Sequence, residues 1–549
     1  MNKTWTAALA VVSIAQAPLA LSQTVNWRVV AAESSAIVSP DLPANISRDF
    51  TDVFLGDVGA GQVGFRIASP DASDGYWARN AQGTLKRYMQ PNVTGPLGPG
   101  RSGAESQDVF RDYNTAWGTA SADGQRYFFG RAGGASAPAA DLSYGLWRWD
   151  KTHNIELFRS LTDGPLGPNL GVGAVFQSSS SFVSGFLQTN GGAALARASI
   201  TTQSGGSATA YIKNTPGSGN HACMVVGSTD PQYSPGLGSG SFSSSPWVLS
   251  TTPAGKFYGR FGTSTSREGI WELCNGSSPP QAIVLDEDTG PLGPDLGIST
   301  AYFTEFFGSP MPGAAGTLFF VASARENSSS PSFGGVYIHD AVSNRPLALK
   351  GNTADYSPHW PQVPQAVFSS FYYDTLSTSG DYASFEADLT TSDSSPHGLW
   401  RVRANGSPEL VALIGITGDY GPEPSRTWRD FSDSAILANG DIVLEATTDP
   451  GNERALWLLK GHVARRIFQT GQSVTVQTAT GAGQTMVSGW SLPQETGGGA
   501  QYSRGEDSWI GADGTILISA SLVDYSGTTL LMAQPSNPID LIFKNGFEQ

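Results

Sequence analysis

Gly124-QRYFFGRA (124–132) is a glycine that runs straight into a short apolar strand, and the chain repeats it seven more times. The other copies are Gly61-QVGFRIA, Gly192-AALARAS, Gly255-KFYGRF, Gly316-TLFFVAS, Gly380-DYASFEA, Gly440-DIVLEAT and Gly514-TILISAS. Successive copies lie 63, 68, 63, 61, 64, 60 and 74 residues apart. That period is too long for a solenoid turn. Filled with strands, it predicts a β-propeller blade.

Three further columns keep the same beat. A proline turn recurs at Pro40, Pro99, Pro168, Pro235, Pro294, Pro358 and Pro422. Its richest copies read TGPLGPG (94–100), TDGPLGPNLG (162–171) and TGPLGPDLG (289–297). An aromatic column runs Trp77, Trp147, Tyr211, Trp271, Tyr337, Trp400 and Trp457 and is expected to form core between blades. A strand marked by Phe110, Phe176, Phe242, Phe303, Phe368 or Phe431 follows most of the turns. Each unit therefore reads as four strands: Phe strand, glycine strand, aromatic strand, and a fourth that ends at the proline. Asp123-Gly124, Asn439-Gly440 and Asp513-Gly514 are hairpin dipeptides between the first two.

The ends suggest how the ring closes. Residues 26–30 have the spacing of a fourth strand with no blade before them. At the far end, 485–490, 514–522 and 528–532 make three strands with no fourth. Pairing the two gives an all-β, eight-bladed propeller closed by its N-terminal strand. Seven blades is the alternative, because the last unit lacks the proline and carries an insertion at 494–505. A single sheet of this kind would be marginal alone, and closure removes most exposed edges.

The composition fits. Hydrophobic residues are 39%, enough for a core, and charged residues only 14%, well under the usual quarter or so. Length alone would suggest about three or four domains, but the uniform period argues for one. The net charge of −15, with no Lys/Arg run, makes nucleic acid and anionic membrane poor partners.

The N-terminus reads as a secretory signal over 1–22: Lys3, an apolar run at 7–17, then Ala20-Leu21-Ser22 as the cleavage site. The propeller then occupies 23–535 and a tail 536–549. No apolar run is long enough to span a membrane in the mature chain. The protein is expected to be exported, to the periplasm, the cell surface or the medium. In an oxidising compartment Cys223 and Cys274, in neighbouring blades, form a disulfide on one reading and two separate core residues on the other.

Chemistry is thin. The six histidines are scattered, with no HExxH spacing, and there is no G-x-S-x-G elbow or P-loop. Asp286-Glu287-Asp288 lacks the ligand run of a calcium loop. The aspartates of the proline turns, Asp163, Asp230, Asp288, Asp355 and Asp419, read as turn residues. The apolar residue two before each proline reads as the plug that anchors the loop. Glu305, Glu386 and Glu445 are acids in strands, the latter two at the same end of their glycine strands. The sequence thus nominates no catalytic residue, no metal ligand and no cofactor.

The pattern of proline turn, Phe strand, glycine strand and Gly-Leu-Trp (Gly145-Leu146-Trp147, Gly398-Leu399-Trp400) resembles an uncharacterised family of exported bacterial repeat proteins. The resemblance covers about residues 25–535. The ending Ile542-Phe543-Lys544-Asn545-Gly546-Phe547-Glu548 is similar to a short tail on many exported bacterial proteins. The resemblance implies no catalytic residues. The expectation is an exported, non-catalytic binding or scaffold module for a glycan, peptide or surface polymer. The alternative is a carbohydrate-active hydrolase or lyase on the same ring, which would need two carboxylates at a defined separation.

Overall fold

In a computed structural model the chain folds into eight small β-sheets arranged as an eight-bladed β-propeller. The structure describes residues 25–533 except 26, 38–41, 43–48, 55–62, 69–73, 80–83, 113–118, 121–123, 180–182, 189–191, 239, 244–248, 253–254, 277, 341, 392–393, 494–501, 504–508 and 512–513. Residues 1–24 and 534–549, on which the readings of a secretory signal and a tail fall, and the Pro40 turn lie outside the described residues. Blades 1 to 7 span 49–89, 108–159, 175–225, 249–285, 302–349, 367–413 and 427–469. Within each, strands pair antiparallel in chain order, except that in blades 2 and 3 the first strand is split into two short segments that both pair with the glycine strand. First strands of successive blades touch one another from blade 3 to blade 7, so they line the axis.

Blade 8 closes the ring. Its strand Tyr525–Ala533 pairs antiparallel with Arg28–Ala32, setting Arg28 opposite Met532 and Val29 opposite Leu531. Trp27, beside that strand, donates its indole N–H to the Ile467 carbonyl of blade 7 at 3.1 Å. Two features go beyond the sequence reading. A fifth strand, Ser473–Thr478, forms a hairpin with Gly481–Ser491. Within the insertion, Tyr502–Ser503 pairs in parallel with Leu249–Thr251 of blade 4, four blades away. In blade 3 the Gly/Ser-rich stretch 204–219 is mostly a regular strand, Ser207–Thr215. Among the described residues no helix is long and apolar enough to cross a membrane.

Flat sheets set around an axis splay apart outward, so the third strand needs a large side chain to fill the wedge. The aromatic column supplies it, and every member is buried. Trp147 shares a buried cluster with Tyr76 and Tyr88 of blade 1, and Trp400 one with Phe319 and Val336 of blade 5. Phe strands meet these rings edge-on: Phe110–Trp147, Phe303–Tyr337 and Phe368–Trp400 have centroids 5.0, 5.0 and 5.1 Å apart. Each such pair adds about 0.5–1.5 kcal/mol beyond area burial. Two members depart from the expected columns. Tyr211 faces the following blade, meeting Phe261 at 5.4 Å, and Ile212 takes its place against blade 2. In blade 7 Trp428, and not Phe431, stands edge-on to Trp457 at 5.1 Å.

The proline turns correct a second expectation. In all six described copies the Gly-Pro or Ser-Pro pair is buried: 98–99, 167–168, 234–235, 293–294, 357–358 and 421–422. The apolar residue before each pair, such as Leu97 or Tyr356, is only half-buried, so it is not the plug. The pair itself is. The indoles of Trp147, Trp271 and Trp400 donate to the carbonyls of Pro99, Pro235 and Pro358. A Cβ on Gly98 would sit 2.3 Å from the Val93 carbonyl, so only glycine fits that close approach. In the three richest copies a buried asparagine of the next blade completes the lock. Asn154 donates to Tyr88 and Gly98, Asn220 to Leu157 and Gly167, and Asn344 to Ile283 and Leu292.

Candidate functional site

The axial strands of blades 5 and 6, Tyr302–Pro312 and Val367–Ser379, are long and broken. Their pairing jumps from Phe307 to Met311 and from Tyr372 to Ser377, leaving a bulge in each. Bulges bend a strand and re-aim its side chains. These two meet. Gly308, at φ +59°, would place a Cβ 2.8 Å from the Tyr373 carbonyl, and Phe307 stacks on Tyr373 at 5.7 Å. The consequence is unusual exposure. Tyr372 and Tyr373 are 41% and 52% exposed, the only aromatics among the exposed large hydrophobic side chains of the described residues.

Behind Tyr372 lies a polar cluster. Strand register sets Tyr372 opposite Glu386, Ser370 opposite Asp388, and Asp388 opposite His397. His397 Nε2 is 2.8 Å from Glu386 Oε2, and Nδ1 is 2.9 Å from Asp388 Oδ1. Asp388 Oδ2 accepts from Ser370 Oγ at 2.9 Å and from the Tyr372 hydroxyl at 3.0 Å. Burial opposes the charge on His397, but its bonds to Glu386 and Asp388 prevail and raise its pKa. Burial also works to raise the Asp388 pKa, yet the bonds from His397, Ser370 and Tyr372 pull it below the ordinary value. The set contains Ser, His and Asp but no nucleophile relay. Ser370 bonds to Asp388, and both imidazole nitrogens are occupied by carboxylates.

The wedge between blades 7 and 8 carries the matching column. Asp433 stands opposite Glu445 across the first two strands of blade 7. Arg454 Nε lies 2.5 Å from Glu445 Oε1, and its guanidinium sits 4.3 Å above the Trp490 ring. Trp509 donates its indole N–H to Asp433 Oδ2 at 3.0 Å. Burial above all, with Glu445 and Glu386 adding to it, pushes Asp433 up to about 6. Across blade 4, Glu268 pairs with Arg260 and Asp286 with Arg267, each at 2.9 Å. Glu445, Glu268 and Asp286 are thus each held by an arginine, Glu386 by the His397 imidazole, and Asp433 by an indole. Glu386 and Asp388 hold charge in place beside the exposed Tyr372, which suits binding.

A family model matches residues 58–528. The chain belongs to that family, DUF7453, a family of unknown function. No curated protein matches it. Among solved structures, the α-L-arabinanase of Penicillium chrysogenum complexed with arabinobiose is similar over 64% of this chain and 92% of its own, at 10% identity and TM-score 0.23. A eukaryotic initiation factor is similar over 87% and 99%, at 10% and 0.35. Polysaccharide lyase Uly1 is similar over 78% and 92%, at 11% and 0.30. Scores this low carry no argument about this chain.

The two cysteines lie side by side. Cys223 of blade 3 and Cys274 of blade 4 are buried and joined, with Cα atoms 5.0 Å apart. Asp163, Asp230 and Asp288 accept backbone N–H groups within their own turns, from Gly173, Gln232 and Gly290. Among the described residues no group of three or more His, Cys, Asp or Glu side chains could hold a metal ion. His339 bonds to Asn344 and His359 to the Asp355 carbonyl. Glu386 and Glu445 occupy one place in the repeat, whereas Glu305 lies exposed on the axial strand of blade 5. Sequence reasoning passes over Tyr372, Tyr373, Asp433 and the pairing of His397. One signal is present: Phe371-Tyr372-Tyr373 puts three aromatics in a row, and an alternating strand cannot turn all three to one core.

Proposed function

We propose that this chain is a non-catalytic binding module, exported through its 1–22 segment, that holds a glycan or surface polymer against Tyr372 and Tyr373. The carrying observation is the exposure of these two rings on meeting bulges, backed by the acceptors Glu386 and Asp388. Exposed aromatic faces beside fixed acceptors suit a ligand with apolar C–H faces and hydroxyl edges. Glu386, Asp388, Asp433 and Glu445 each have a holding partner, which supports binding over acid–base turnover.

The test is glycan-array and polysaccharide pull-down binding with residues 23–549. Tyr373→Ala is expected to weaken binding by about 10-fold, the worth of one ring contact, with the melting temperature nearly unchanged. No glycan or polymer bound, or binding indifferent to both tyrosines, would overturn the reading. Turnover of a polysaccharide that disappears in Asp433→Asn would replace it with the carbohydrate-active alternative.

A further inference from the structure

We infer that His397, in its doubly protonated form, is the positioning residue for Tyr372, so that the ring facing the axis is held only while the imidazole carries its charge. This rests on the reading of Tyr372 as a ligand contact for its meaning, but not for its test.

The geometry requires two N–H groups on one ring. Carboxylate oxygens lie 2.8 Å from Nε2 and 2.9 Å from Nδ1. A neutral imidazole has one N–H, so one contact would become lone pair against lone pair. The charged ring satisfies both. Asp388 then has Oδ1 on the imidazole and Oδ2 on the hydroxyls of Ser370 and Tyr372. Tyr372 also stands edge-on to the His397 ring, centroids 4.8 Å apart. One carboxylate therefore ties the ring to the charge.

The groups packed around His397 are mostly acidic. The second strand brings Glu386 and Asp388, and the first brings Tyr372 and Ser370. Blade 7 brings the uncharged Phe431 at 5.8 Å. Of the acids on that blade, Asp433 feels the charge of Glu386, and Glu445 is taken by Arg454. On the fourth strand Glu409 is taken by Arg401. The balance favours the imidazolium. With its pKa raised, the clamp is complete while His397 is charged and Asp388 and Glu386 are ionised, and it is released as pH rises through the raised value.

The test uses the full mature chain with carbon-13-labelled His and Tyr rings, titrated by NMR without ligand. His397→Gln and Tyr372→Phe assign the two signals. His397 is expected to titrate above an ordinary histidine and to show both ring nitrogens protonated below its midpoint. Tyr372 is expected to shift with the same midpoint, and that step is expected to vanish in His397→Gln. A His397 midpoint at or below the ordinary value would overturn the inference. So would Tyr372 signals indifferent to it. If His397→Gln does not fold, the coincidence of midpoints in the unmodified chain decides. A failure to bind any glycan would leave this titration standing, and the reverse holds too.

Discussion

Trp147 donates its indole N–H to the carbonyl oxygen of Pro99, 3.1 Å away on the turn that precedes its blade. The bond ties the aromatic column to the proline column, two features far apart in sequence. Trp147→Phe keeps the stacking on Phe128 but leaves a buried carbonyl unpaired, for an expected loss of about 1–3 kcal/mol. Trp147→Ala adds a cavity and is expected to cost about 3–5 kcal/mol. Urea denaturation measures both. Equal losses from the two variants would mean that the indole N–H, not the ring, dominates.

Ring closure depends on Arg28–Ala32 and the Trp27 indole. Deleting residues 23–32 opens an edge on Tyr525–Ala533 and removes a buried tryptophan. A sharp fall in melting temperature is expected by calorimetry. An unchanged melting curve would refute this closure.

Asp433 is expected to make stability depend on pH in an unusual direction. Its folded pKa, near 6, lies above the ordinary 3.8, so its contribution is full below about pH 4 and is lost as pH rises through about 6. Asp433→Asn removes that loss while leaving Trp509 an amide oxygen to bond. The variant should be more stable than the parent at pH 7–8, by up to about 3 kcal/mol, and no more stable at pH 4. Chemical denaturation at the two pH values checks it, and destabilisation at both would contradict it.

The Cys223–Cys274 link closes a separation of 51 residues across two blades. By the chain-entropy argument its removal in Cys223→Ser, Cys274→Ser should cost about 4 kcal/mol. Peptide mapping without reductant should recover the linked pair. Recovery of free thiols from oxidised protein would rule the bond out.

Much of the fold is legible in the amino-acid sequence. Eight glycine strands spaced by about one blade set the count, and the surplus strands at the two ends imply their own pairing. The misreadings are local ones of phase. Tyr211 faces the other way because an aromatic about the right distance from a turn need not keep strand parity, and one residue of slip reverses a side chain. Leu97 and its equivalents resemble plugs because leucine is usually buried. The close approach of Gly98 to its own turn instead puts the Gly-Pro pair inside.

The candidate site is far less legible. Glu386 can be named from its strand, and Phe371-Tyr372-Tyr373 stands out as a run of aromatics. Their meaning depends on partners that periodicity does not reveal. His397 joins Glu386 and Asp388 only because strand register sets them side by side. Tyr373 is held out only because a bulge in blade 5 meets a bulge in blade 6.

By itself the sequence determined the repeat, the number of blades and the closing strand. Those follow from spacing, from turn chemistry, and from the rule that a strand alternates its faces. Only the tertiary structure decided which polar groups face each other, which acid lies buried beside others, and which rings stay exposed. Hydrogen bonds act over about 3 Å, and that distance between groups on different strands and blades is set by how the sheets pack around the axis.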